Sequence, residues 1–165
     1  MQTENVLDYP RPAICEATDH RVRIVLGGET IVDTAMGEGE HTVWRALETY
    51  HPPTYYVPMA AIREGVLVPN GRCTTCEWKG PATYFDVVGG GKRREGAAWT
   101  YRSPTPTFAA IRDHVAFYAE PFSGKGDACF VDDEQVIPQP GNFYGGWITK
   151  DIVGPFKGIE GSWGW

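Results

Sequence analysis

The sequence has no long apolar run. Its densest apolar stretch, residues 55–62, is short and broken by Pro58, which excludes a membrane-spanning helix. No Asn-x-Ser/Thr sequon occurs, and MQTENVLDYPRPAICEATDH at the start has no basic segment followed by the apolar segment of an export signal. Basic residues are in deficit: 15 Lys and Arg face 21 Asp and Glu, and the net charge of −6 makes a nucleic-acid groove a poor expectation. Serine is scarce, with only Ser103, Ser123 and Ser162 to seed a serine-centred triad. GxSxG, HExxH, Walker and dinucleotide-binding patterns are all missing. Cysteine is limited to Cys15, Cys73, Cys76 and Cys129. In a chain of this size without an export signal these are expected as reduced thiols, with the cytoplasm as the compartment.

What is present is a turn-dense, aromatic-rich chain. The 165 residues suffice for one domain with one hydrophobic core. Gly 20 and Pro 13 put a breaker at 33 positions, and aromatics reach 13%, which favours many short strands. The expected fold is therefore all-β with one or two short helices. It divides into an irregular arm over 1–20, a β core over 21–137 and a tail over 138–165. Residues 21–26 and 29–33 around Gly27-Gly28 predict a two-residue hairpin. Val43, Ala46, Leu47 and Tyr50 recur at helical spacing, predicting a short helix stopped by His51-Pro52-Pro53. Residues 54–57 and 66–68 read as strands.

Further along, 81–88 and 96–102 form a long hairpin, whose tip Lys92-Arg93-Arg94 is expected to be solvated and worth no more than about 0.5 kcal/mol. Phe108 and Ile111 predict a brief helix, 114–118 a strand, and 129–131 with 135–137 a last hairpin. The tail carries seven glycines and six aromatics, so it is expected to pack across the body or against a partner rather than act as a linker.

Cys73-Thr74-Thr75-Cys76 is the most conspicuous pattern. Tetrahedral zinc would need a second such pair or paired histidines, and His20, His41, His51 and His114 are scattered. No metal and no cofactor is expected. A redox dithiol would need CxxC to open a helix after a strand, whereas the flanks here read as loop. What remains is a polar and aromatic set: Glu48, His51, Tyr55, Tyr56, Trp78, Lys79, Tyr84, Trp99 and Tyr101. Trp99 and Tyr101 stand two apart on a strand and share a face. Core packing is the commoner fate of any one aromatic. Glu48 and Lys79 fit a core less readily, because lone charges are seldom enclosed. Glu48 also falls at the C-terminal end of the expected helix, where the dipole disfavours a carboxylate.

Several of these residues occur in ordered motifs: Glu48-x-x-His51-Pro52-Pro53-x-Tyr55-Tyr56-x-Pro58, Cys76-Glu77-Trp78-Lys79-Gly80-x-Ala82-x-Tyr84, Ala98-Trp99-x-Tyr101 and Val115-Ala116-Phe117-Tyr118. In these motifs the chain resembles the bacterial family of domain of unknown function 427 over about residues 20–137. Glu77 stands where that family usually has proline, and Cys73 adds a thiol the pattern usually lacks. The resemblance implies a small antiparallel two-sheet β-tent, or Mss4-like, fold with a cleft between the sheets. It also brings a nucleotidyltransferase-like label, which no motif here supports.

The leading expectation is a binding protein for a small flat or cationic organic molecule, in an aromatic-lined cleft between the sheets. Tyr56, Trp78, Tyr84, Trp99 and Tyr101 would stack on it, with Glu48 and Lys79 setting polarity. One alternative is an enzyme using the same cleft, with Cys76 as nucleophile beside Lys79, or Glu48 and His51 as a proton-transfer pair. Another is an interaction module whose tail docks on a partner or a second copy, giving a homodimer. Neither nucleic acid nor membrane is expected as partner.

Overall fold

A computed structural model describes residues 3–35, 42–76, 79–141, 144–159, 161, 162 and 165. Its strands run, in chain order, as β1 (Glu4–Asn5), β2 (Ile14–Thr18), β3 (Val22–Leu26), β4 (Glu29–Asp33), β5 (Val43–Leu47), β6 (Thr54–Tyr56), β7 (Leu67–Cys76) and β8 (Gly80–Gly89). There follow β9 (Lys92–Thr100), β10 (Val115–Phe117), β11 (Ala128–Val131), β12 (Glu134–Gln135), β13 (Ile137–Pro138), β14 (Trp147–Ile148) and β15 (Ile152–Val153). Among the described residues the helical content consists of 3-10 turns, the longest over Pro106–Ile111. Among the described residues no helix is long and apolar enough to cross a membrane. The fold is all-β and overwhelmingly antiparallel, as the composition predicts.

Two sheets dominate. One has the order β2-β5-β6 and continues into β10-β9-β8-β7, because Val57 and Val115 exchange backbone hydrogen bonds of 2.9 and 2.8 Å. The other has the order β12-β11-β3-β4. Side chains alternate across the larger sheet with the period-2 pleat. Tyr55, Val57, Phe85, Val87, Val115 and Phe117 join Val22, Ile24 and Leu26 of the second sheet in the main core. Tyr56, Tyr84, Trp99, Tyr101 and Ala116, drawn from the same strands, form a second cluster on the opposite face. Phe108 and Ile111 of the 3-10 turn belong to this second cluster.

The first hairpin is as expected, with Gly27-Gly28 at positive φ between β3 and β4. The helix expected over residues 43–50 is instead strand β5, paired on both sides. A central strand buried on both faces need not alternate apolar and polar residues, so its spacing imitates a helix. The dipole argument for Glu48 falls with that helix. The expected irregular arm carries β1 and β2, the latter paired with β5. Cys73 and Cys76 lie on β7 rather than in a loop, and regular pairing to Thr83 and Gly80 sends their side chains, three apart, to opposite faces.

The basic hairpin tip is also corrected. Its turn is Gly90-Gly91, and the three cations stand on β9 with carboxylate partners. Lys92 Nζ and Arg94 Nη2 each reach the Asp127 carboxylate at 2.9 Å, and that side chain is 0% exposed. Asp127 also accepts the Gly27 N–H at 2.9 Å. Arg93 Nη2 pairs with Asp86 at 2.6 Å. A Cβ on Gly27 would overlap the Gly90 backbone, so the two Gly-Gly turns pack directly on each other. The tail packs on its own chain. Trp147 is 1% exposed and donates its indole N–H to the Phe117 carbonyl at 2.9 Å, and β15 pairs with β1.

Candidate functional site

The sequence motifs converge on the outer face of the larger sheet. Tyr84 and Trp99 are direct cross-strand partners, 6.3 Å between ring centroids, and Tyr56 lies 6.2 Å from Tyr101. Cys76 packs partly buried against the same cluster. Burial raises the phenol pKa of both Tyr56 and Tyr101, so both are neutral hydrogen-bonding groups. All four rings are buried, Trp99 at 7% exposure and Tyr84 at 8%, so they form a packed layer rather than an open wall. Trp78 lies outside the described residues.

Glu48, His51 and Lys79 gather at the edge of this layer. Glu48 Oε2 is 3.7 Å from His51 Nε2, and the Lys79 ammonium, 5.6 Å from the Phe108 ring, acts electrostatically on both His51 and Tyr101. The tail supplies the remaining partner. Gln139 Oε1 accepts the Gly146 N–H at 3.2 Å, while its amide nitrogen donates to the Lys157 carbonyl at 2.8 Å and faces His51 Nδ1 at 3.0 Å. Those contacts fix the amide orientation, so Nδ1 accepts and the neutral ring carries its proton on Nε2, toward Glu48. Burial lowers the His51 pKa. Glu48 opposes that shift, while Lys157 and Lys79 reinforce it.

Outside the aromatic layer lies a groove of about 470 Å³ between the sheet and the tail, lined among others by Arg72, Glu95, Tyr118, Glu120, Gln139 and Tyr144. Three of the expected residues, Tyr84, Trp99 and His51, back its lining. Tyr118 packs on Trp99 at 4.6 Å, Tyr144 meets His51 edge-on at 5.2 Å, and the Arg72 guanidinium lies 4.6 Å over the Tyr84 ring. Burial and the neighbouring Tyr84 push the Tyr118 phenol up to about 12. Gly145 closes the tail onto the layer, since a Cβ there would overlap the Trp99 indole.

The sequence motifs mark the aromatic layer, whereas the lining of the groove outside it carries little signal in the sequence. Tyr118 was within reach, as the last residue of a quoted motif. Arg72, Glu95 and Glu120 carry no spacing signal, and Gln139 and Tyr144 belong to a segment with no period. Among the described residues, no group of three or more His, Cys, Asp or Glu side chains is placed to hold a metal ion. All four cysteines are free thiols, with Cys73 exposed and Cys129 buried.

The sequence model of one family, Domain of unknown function (DUF427), matches residues 14–132. No protein of curated function matches the chain.

Proposed function

The chain belongs to the family of domain of unknown function 427, and from that premise we propose that it binds a small flat organic molecule in the groove between its larger sheet and its tail. The observation that carries this reading is a concave space faced by two phenol rings, Tyr118 and Tyr144, that are backed by Trp99 and His51. Aromatic rings held by packing offer stacking area at little cost in side-chain entropy. A volume of about 470 Å³ suits a metabolite-sized ligand. Two antiparallel sheets meeting over a shared core are in keeping with a β-tent, or Mss4-like, architecture. Four free thiols fit a bacterial cytoplasmic protein.

An acid–base enzyme is less well supported. The His51 Nδ1 lone pair is occupied by Gln139, and Nε2 carries its proton, so the ring has no site to receive another in this arrangement. Docking of the tail on a partner has less support too, because Trp147 and β15 are already committed within the chain. The test is ligand-observed NMR of the full chain against a set of small planar aromatic compounds. Compounds that bind should lose binding at least tenfold in Tyr118→Ala and in Tyr144→Ala, both checked for folding by circular dichroism. Binding that survives both substitutions, or none from the whole set, overturns the reading.

A further inference from the structure

Among the described residues some surface charges are paired and others, such as Arg102, Lys125 and Lys150, are not; the charges lining the groove are set apart by sharing one concave surface. Arg21, Arg45, Arg63, Lys92, Arg93 and Arg94 all pair with carboxylates. Arg72, Glu95 and Glu120 make no ion pair among the described residues, although all three line one cavity. Arg72 is nevertheless held in place. Its guanidinium stacks on Tyr84 and lies over Gly96, close enough that one of its terminal nitrogens would be 3.4 Å from a Cβ at that position. Stacking fixes the plane of the guanidinium and leaves its N–H edge for an acceptor.

We propose that the groove selects a zwitterion, an amine-bearing carboxylic acid with a flat body, of which an aromatic α-amino acid is the smallest example. The ligand carboxylate takes the edge of Arg72 in paired N–H···O bonds. Its ammonium lies toward Glu95 and Glu120, and its flat body lies against Tyr118 and Tyr144, the latter a ring that already has the Lys157 ammonium 5.9 Å from its centroid. Among the described residues the lining carries one positive and two negative charges, so a molecule with both signs is matched where a simple anion or a neutral ring is not. The inference rests on the groove reading above and adds the ligand's charge pattern to it.

The test titrates the full chain with four probes that share a ring: L-phenylalanine, phenethylamine, 3-phenylpropanoate and benzyl alcohol. L-Phenylalanine should bind at least tenfold more tightly than any of the other three. Arg72→Gln should remove that advantage over phenethylamine, and Glu95→Gln with Glu120→Gln should remove it over 3-phenylpropanoate. All of these variants are on the surface and should fold. If benzyl alcohol binds as well as L-phenylalanine and Tyr118→Ala abolishes both, the groove reading stands and the zwitterion inference is overturned. If L-phenylalanine binds with no response to Arg72→Gln, the inference is again overturned. If none of the four binds, the inference fails, and the planar-compound set decides the groove reading separately.

Discussion

The turn junction and the groove lie a few residues apart on β9 and use charge in opposite ways. At the junction Lys92, Arg93 and Arg94 are each spent on a carboxylate with little or no exposure, Asp127 or Asp86. Burial raises the Asp127 pKa, but the Gly27 N–H and the Lys92 and Arg94 side chains outweigh it and keep the carboxyl below its ordinary value. Asp86 is held at about 2 by Asn70, the Gly96 N–H and Arg93. At the groove, Arg72, Glu95 and Glu120 make no ion pair among the described residues. A charge enclosed with its partners holds two hairpins together. A charge left at a concave aromatic surface remains free for recognition.

Breaking the junction should give the largest effect. Asp127→Ala strands Lys92, Arg94 and the Gly27 N–H where the two Gly-Gly turns meet, and removing one side of an enclosed ion pair costs about 3 kcal/mol. Urea denaturation followed by tryptophan fluorescence should show a midpoint shift at unchanged slope. A change below about 0.5 kcal/mol, the scale of an ordinary surface substitution, would return the basic segment to the dispensable tip expected from sequence.

That correction shows what the sequence could and could not carry. Local signals were legible: Gly27-Gly28 named its own turn, and the hairpin expected over 129–131 and 135–137 forms with its return strand at Glu134–Gln135, while Ile137 pairs with the tail instead. Long-range partners were not. Asp127 lies 35 residues from Lys92 and 100 from Gly27, and no composition or period connects them. The helix assigned to residues 43–50 failed for a related reason. Val43 and Leu47 face one side of β5 and Trp44 and Ala46 the other, and only the neighbouring strands reveal that both sides are covered. At the site, the spacing of Trp99 and Tyr101 put both rings on one face, and they share one cluster. Their burial beneath Gly145 depends on a tail with no pattern to read.

The comparison can be sharpened on the tail side of the groove. Gly145→Ala places a methyl into the Trp99 indole, and overpacking of this kind costs about 1 to 2 kcal/mol. Because the same contact seats Tyr144 and Gln139, the substitution should also weaken whatever binds the groove, whereas Asp127→Ala should cost stability without altering ligand preference in the folded fraction. The check is to measure both quantities in both variants. Equal loss of binding in the two would merge the regions that the structure separates.

The smallest effect belongs to His51, where a titration acts on the tail's attachment. Its ordinary pKa is 6.5 and the folded protein lowers it, through burial first, with Glu48 opposing and Lys157 and Lys79 assisting. At neutral pH the ring is uncharged whether the chain is folded or unfolded, and this site carries no penalty. As pH falls below about 6.5 the unfolded chain takes up a proton that the folded one resists, so stability present above that value is lost through the folded pKa. Protonation of Nδ1 would also set two donors, the ring N–H and the Gln139 amide, against each other. Thermal midpoints measured from pH 7.5 to 5.0 should therefore fall more steeply in the wild type than in His51→Asn, which can keep an acceptor near the amide but cannot titrate. Asp86 and Asp127 titrate lower and contribute equally to both proteins. Parallel curves would mean that His51 does not couple the tail to pH, leaving Gly145 and Trp147 as the attachment.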